Sequence, residues 1–435
     1  MLAIPAVISM QQAYNALFSK FPTCDLMKFT PRLLLALAAI GLIAGMAGVG
    51  LSWLMHFIQH HAYGYGLSGY EEIPFRVGVE HASAMRRVTV MTVCGIVAGA
   101  GWYLVKRYGT PLVSIKASME KPLQGLPFLT TVCHSLLQII TVALGSPMGR
   151  EVAPREMSAA FASVWIRRFG LAEDEAKLLI ACSSGAGLAA VYNVPMAAAV
   201  FTLETLVCAW TPTAVSAALL TSILATAVSR AGLGDLVQYH LPDAFVNTPL
   251  MWWAVLMGPL VSSTVILFRK STDALPFLRR NDPKIILFAV AAFALIGWLS
   301  VYFPAVLGNG KAGNQLSFAG MLNWQGSLEL FAVKWLVLLL ALAAGAYGGL
   351  ITPSMMLGSM LACTCALGWN NFLPPLSIEA AALVGGTAFL AVSQKMPLTT
   401  LVFMLELTRV SSAFLMPMAI CTLGALLAHR WLTRA

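Results

Sequence analysis

The sequence predicts an integral membrane protein of spanning and broken helices, arranged as two related halves. Three observations predict it. Of 435 residues, 59% are hydrophobic and 10% charged, with a mean hydropathy of +0.79. Apolar runs long enough to cross a bilayer, roughly 17 to 25 residues each, recur along nearly the whole chain. A phrase with matched proline and glutamate occurs twice, 202 residues apart.

The spans read in order are Leu33 to Phe57, Val88 to Val105, Ala209 to Val228, Leu250 to Phe268, Ile285 to Val301 and Trp335 to Leu357. They leave no room for a soluble regulatory domain, so residues 1–435 are expected to form one transmembrane domain. The polar intervals Tyr63 to Arg87 and Ala231 to Asn247 are expected as extramembrane loops. A formal charge of +9, spread through loops, bears on orientation and does not point to nucleic acid. The densest basic cluster is Arg269, Lys270, Arg279, Arg280 and Lys284, which the positive-inside rule places in the cytoplasm. Lys20, Lys28 and Arg32 place the N-terminus there too, and no basic n-region of a secretory signal is evident. The eight cysteines, Cys24, Cys94, Cys133, Cys182, Cys208, Cys363, Cys365 and Cys421, fall mostly in apolar runs and read as packing residues. Neither a disulfide framework nor a metal or cofactor site is expected.

The repeated phrase sets Leu188-Ala189, Pro195-Met196 and Val200 to Glu204 against Leu390-Ala391, Pro397-Leu398 and Val402 to Glu406. Small apolar coincidences are common in membrane sequences, but proline and glutamate matched at one separation are not. The chain therefore divides into a first repeat near residues 30–230 and a second near 246–430, a layout used by transporters.

Glycine and proline interrupt the apolar body at four candidate helix starts: Gly109 to Ser114, Gly149 to Pro154, Asn193 to Pro195 and Gly348 to Pro353. Broken backbone at membrane depth persists only where protein or a water-filled cavity satisfies it. A helix that starts there directs free N–H groups and the positive end of its dipole at whatever lies in front. Such an end suits an anion.

An ionised side chain at mid-bilayer costs about 2.5–3.5 kcal/mol on insertion scales, so one without a partner marks function. Glu151, in Gly149-Arg150-Glu151 between Gly145 and Pro154, is the clearest case. Its carboxylate is placed to occupy an anion's position at a helix start, as plug and as proton carrier; the alternative is a cap or a pairing with Arg150 or Arg155. Glu204 and Glu406 sit near the far ends of short helices, an unfavourable dipole position, and read as partners of a neighbouring helix start. Glu173-Asp174-Glu175 reads as an exposed helix-starting turn and His134 as a core histidine. Ser183-Ser184-Gly185 has no recognisable histidine partner, so an intramembrane hydrolase is the weakest reading and an enzyme is not expected.

Together these motifs resemble the CLC family of chloride channels and anion/proton antiporters, in a bacterial member, over nearly all of the chain. Gly145 to Pro154 resembles the gating-glutamate motif, Gly349-Leu350-Ile351-Thr352-Pro353 the Gly-x-Phe-x-Pro element, and Asn193-Val194-Pro195 the start of a short helix near the dimer interface. Pro304 to Gly310 resembles the loop following the helix after the basic turn. The resemblance implies an all-α fold with two inverted-topology repeats of tilted and broken helices, and a homodimer with one anion pathway per subunit. It implies Glu151 as gate and proton-transfer group, and an anion-binding set of Thr110, Gly149, Arg150, Gly349, Leu350 and Ile351.

Three departures stand out. Gly109-Thr110-Pro111 is a degenerate form of the family's Gly-Ser-Gly element; Thr205 stands where the exchangers carry an internal proton-relay glutamate; and Leu432 to Ala435 end the chain before the family's last helix with its anion-binding tyrosine. The expected partners are chloride or another small anion, protons and the lipid bilayer, and the expected location is the cell inner membrane, crossed many times. A fluoride/proton antiporter is the second reading, because the fluoride-exporting branch shares the altered serine and the missing glutamate. A transport-inactive membrane scaffold is the third.

Overall fold

The structure, a computed structural model, describes residues 29–65, 74–235, 237–275 and 282–433. Arg279, Arg280, Lys20, Lys28 and Cys24 of the sequence reading lie outside the described residues.

The first half consists of α1 (Pro31–Tyr63), α2 (Phe75–His81), α3 (Ala84–Tyr108), α4 (Ile115–Glu120), α5 (Phe128–Ala143), α6 (Val152–Phe169), α7 (Glu173–Tyr192), α8 (Pro195–Phe201) and α9 (Pro212–Leu233). The second consists of α10 (Thr248–Asp273), α11 (Lys284–Tyr302), α12 (Lys311–Phe318), α13 (Trp324–Ala343), α14 (Ile351–Asn370), α15 (Ile378–Gln394), α16 (Pro397–Thr408) and α17 (Leu415–Leu432). Eight helical segments among the described residues are long and apolar enough to cross a membrane. The chain is thus a multi-pass, all-α membrane protein.

Helix boundaries follow from local chemistry. Thr30, Thr211 and Asn247 each accept a bond from a first-turn N–H, and a proline follows within the first two helical positions of α1, α9 and α10. Both polar intervals are shorter than expected. α1 runs to Tyr63, α2 fills part of the first interval, and α3 begins at Ala84, while α9 runs to Leu233. The polar residues there cap helices: Arg86 donates to the His61 and Ala62 carbonyls at the end of α1, both at 2.7 Å.

The run Trp335 to Leu357, expected as one span, is two helices. α13 ends at Ala343 and α14 begins at Ile351, with Gly345 between them at φ 77°. Hydropathy is blind to this break because the linking residues are themselves apolar or small.

The two halves are related through α8 and α16. Glu406, near the end of α16, accepts from the Met196 and Ala197 N–H groups at the start of α8, at 3.0 and 2.7 Å. Reciprocally, Glu204, in the wider turn that continues α8, accepts from Leu398 and Thr399 N–H at the start of α16, at 2.9 and 2.7 Å. Equivalent helices therefore lie antiparallel, and the helices that lead into them, α7 and α15, end at opposite faces. This is the inverted arrangement that the resemblance implied. Each carboxylate sits at the negative end of its own helix and is compensated by the positive end of the other. Glu204→Ala or Glu406→Ala is expected to cost about 1–2 kcal/mol as a lost helix cap. Thermal unfolding in detergent checks this, and an unchanged transition in both variants contradicts it.

The start of α1 and the end of α10 fall on one face. Thr30 bonds Glu175 at the start of α7, at 2.9 Å, and Arg269 at the end of α10 donates to Val392 and Ser393 at the end of α15. On the opposite face Asp235 gathers Asn193, Arg230 and Arg409, joining the ends of α7, α9 and α16. The Asn193 amide and the Arg409 guanidinium hold this exposed carboxyl below the usual carboxylate range.

Candidate functional site

Two helices begin inside the protein, away from both faces. The chain leaves α5, turns through Gly145 at φ 110°, and starts α6 at Val152; it leaves α13, turns through Gly345 at φ 77°, and starts α14 at Ile351. Both turns use left-handed backbone that glycine tolerates. Their bonds match as well: Gly145 N–H to Val142 O and Ser146 N–H to Thr141 O recur as Gly345 to Leu342 and Ala346 to Ala341. The two breaks meet at Gly149 and Gly349, which exchange N–H···O bonds of 2.7 and 2.9 Å, the one isolated β-bridge among the described residues. Beyond this bridge α6 leads to α7 and α14 to α15, toward opposite faces.

Glu151 stands at this junction and is fully buried. Its side chain makes no cap bond to α6, the helix it precedes. It crosses to the other half, where Oε1 accepts the Ile351 N–H at the start of α14, at 2.7 Å. Oε2 accepts the Tyr192 hydroxyl at 3.2 Å. Neither neighbouring arginine takes the carboxylate. Arg150 donates to Val191 O and lies over the Tyr192 ring, its guanidinium carbon 5.5 Å from the centroid, and Arg155 donates to Ser184 Oγ and lies over Phe201.

The arrangement presents donors to an anionic group. The start of α14 contributes unspent N–H groups and dipole, and Pro353, which has no N–H, confines those donors to the residues before it. Gly149 and Gly349 leave room for the carboxylate, because a Cβ at either position would overlap it. When Glu151 is ionised, its charge faces a helix start. When it is neutral, that attraction is lost.

Five of the seven expected residues, Gly149, Arg150, Glu151, Gly349 and Ile351, come together here, with Leu350 as the residue that caps α14. Thr110 is elsewhere. It is exposed, and its N–H and hydroxyl both bond Thr130 Oγ1, at 3.1 and 2.8 Å. It lies in the non-helical stretch between α3 and α4. Thr205 donates to the Phe201 carbonyl at 2.7 Å.

Two residues near the site escaped the sequence reading. Tyr192 ends α7, and its hydroxyl also lies 2.7 Å from Thr352 Oγ1. Lys334 is fully buried in α13, and its Nζ donates to the carbonyls of Pro147, Val306 and Gly308 at 3.3, 3.1 and 2.9 Å. It ties the break before Glu151 to the segment after α11. A signal existed for Lys334, a single lysine in an apolar helix. The expected span began one residue after it.

Comparison with known proteins agrees with this geometry. The family described as voltage gated chloride channel matches residues 90–430. The H(+)/Cl(-) exchange transporter ClcA of Yersinia pseudotuberculosis serotype IB (strain PB1/+) is 25% identical over 422 residues, covering 93% of this chain and 86% of that protein. The ClcA exchange transporter of Cronobacter sakazakii (strain ATCC BAA-894) is 26% identical over 424 residues, covering 93% and 88%. Among solved structures, a slow cyanobacterial Cl-/H+ antiporter superposes with TM-score 0.77 at 20% identity, covering 93% of this chain and 96% of that one. A CLC-type fluoride/proton antiporter gives 0.70 at 19% identity, covering 93% and 98%. With the family pattern extending over most of its length, the chain belongs to the voltage gated chloride channel family, the CLC proteins.

Proposed function

We propose that the chain carries chloride across the cell inner membrane in exchange for protons, with Glu151 as the gate and the proton-transfer group. One observation carries the reading: a fully buried carboxylate fills the donor-lined position at the start of α14, in front of Ile351 N–H, where an anion is best stabilised. The relatives named as H(+)/Cl(-) exchange transporters support chloride and protons as the substrates. Protonation of Glu151 releases the donors to an anion, and the return of the ionised side chain expels it. The Ile351 N–H, with Leu350 before it, supplies the backbone donors of this position, while Gly149 and Gly349 spend their N–H groups on each other and leave it room; the Arg150 guanidinium adds positive potential beside it. Thr205 carries no carboxylate, so the proton reaches Glu151 by a route that does not use that position. The face holding the starts of α1 and α7 is the cytoplasmic one, since Arg32, Arg269 and Lys270 lie toward it.

Purified protein in liposomes, loaded with chloride and read with chloride and pH electrodes, tests the reading. Chloride efflux that drives proton movement is the expected result. Fluoride efflux in its place transfers the reading to a fluoride exporter, and no efflux of either ion leaves a scaffold. The working unit is a homodimer, for which light scattering on the detergent-solubilised protein should give twice the subunit mass; a monomer mass contradicts it.

A further inference from the structure

We propose that the Tyr192 hydroxyl is the side-chain ligand that holds the transported anion in this chain; the assignment rests on the reading of Glu151 as a gate. The side-chain hydroxyl expected at the site, Thr110, is exposed and committed to Thr130. Tyr192 is instead buried, with its oxygen 3.2 Å from Glu151 Oε2.

Donor directions along this contact are settled by chemistry. An ionised carboxylate only accepts, so Tyr192 donates to it. The phenol oxygen then accepts, and the group 2.7 Å away, Thr352 Oγ1, is its donor. The hydroxyls form one polarised chain, Thr352 to Tyr192 to Glu151, which strengthens the final donor. With Glu151 swung away, Ile351 N–H and Tyr192 O–H both face the vacated volume. Together they fit a small inorganic monovalent anion, which bonds to both donors as the two carboxylate oxygens did.

The ring is held where it must be for this task. Phe403 packs edge-on against it at 5.3 Å between centroids, and Arg150 covers a face. Asn193, next in the chain, is left-handed at φ 60° and turns the backbone into α8, so Tyr192 sits at a fixed helix end. A ligand on such a support discriminates among anions by how strongly each accepts a hydrogen bond.

The test uses Tyr192→Phe, which removes one oxygen and keeps the ring. In a Glu151→Ala background, calorimetric titration with sodium chloride should show binding weakened about tenfold or more, the scale of a lost hydrogen bond to a charged group. With the gate intact, Tyr192→Phe should alter the order of flux among chloride, bromide, nitrate and fluoride in liposomes, and Thr352→Val should alter it in the same direction. Chloride affinity and anion order both unchanged by Tyr192→Phe overturn the assignment, as does loss of binding in Thr110→Val but not in Tyr192→Phe. Wild-type protein that moves no anion removes the transport reading and this assignment with it, whereas wild-type flux indifferent to Tyr192→Phe removes only the assignment.

Discussion

Replacing Glu151 by Gln is expected to abolish proton movement in liposomes while anion flux persists and becomes insensitive to pH. The amide matches the carboxylate in shape but releases no proton, and it retains weaker, uncharged bonds at the start of α14. In the wild type, lowering the pH neutralises Glu151 and frees Ile351 N–H and the Tyr192 hydroxyl, so flux rises as pH falls. The variant is permanently neutral and has nothing left to titrate at this position. A pH series of paired chloride and proton recordings decides the matter; proton movement retained at the wild-type ratio excludes Glu151 as the carrier.

Gly349→Ala is expected to open the pathway without touching Glu151. A Cβ at Gly349 overlaps the Glu151 carboxyl group, with even Cγ only 2.7 Å away, so the side chain no longer fits its position. The paired bonds between Gly349 and Gly149 use backbone atoms alone and survive the change. Neutral-pH chloride flux should rise toward that of Glu151→Ala, with proton coupling reduced. Added to Glu151→Ala, the same substitution should change flux little, because the group it displaces is gone; contacting residues are expected to be non-additive in this way. Wild-type flux and pH dependence in Gly349→Ala contradict the placement of the carboxylate.

Much of the site was legible in the sequence because membranes magnify a few signals. A carboxylate in an apolar body, glycines beside a proline, and a repeated proline–glutamate phrase each have few explanations there. The matching of Glu204 with Glu406 led directly to two reciprocal helix caps. The matching of Gly149 with Gly349 went unseen because those breaks are 200 residues apart while the later phrase is 202 apart. The difference builds up between the breaks and the phrase, where the helices and connecting loops of the two halves differ in length. Tyr192 was hidden for another reason. Its role depends on contacts with Glu151 and Thr352, 41 and 160 residues distant in sequence, and an aromatic residue at a helix end is otherwise ordinary. Thr110 came from the resemblance alone, through a degenerate motif, and the structure commits its N–H and hydroxyl to Thr130 at the start of α5.

The central claim is that the Glu151 carboxylate occupies the anion's own position. Crystals of Glu151→Ala grown in bromide, with anomalous diffraction recorded at the bromine edge, test it most directly. A bromide peak within hydrogen-bonding distance of Ile351 N and the Tyr192 hydroxyl is the predicted result. An empty position there, in a variant that still conducts bromide, contradicts it.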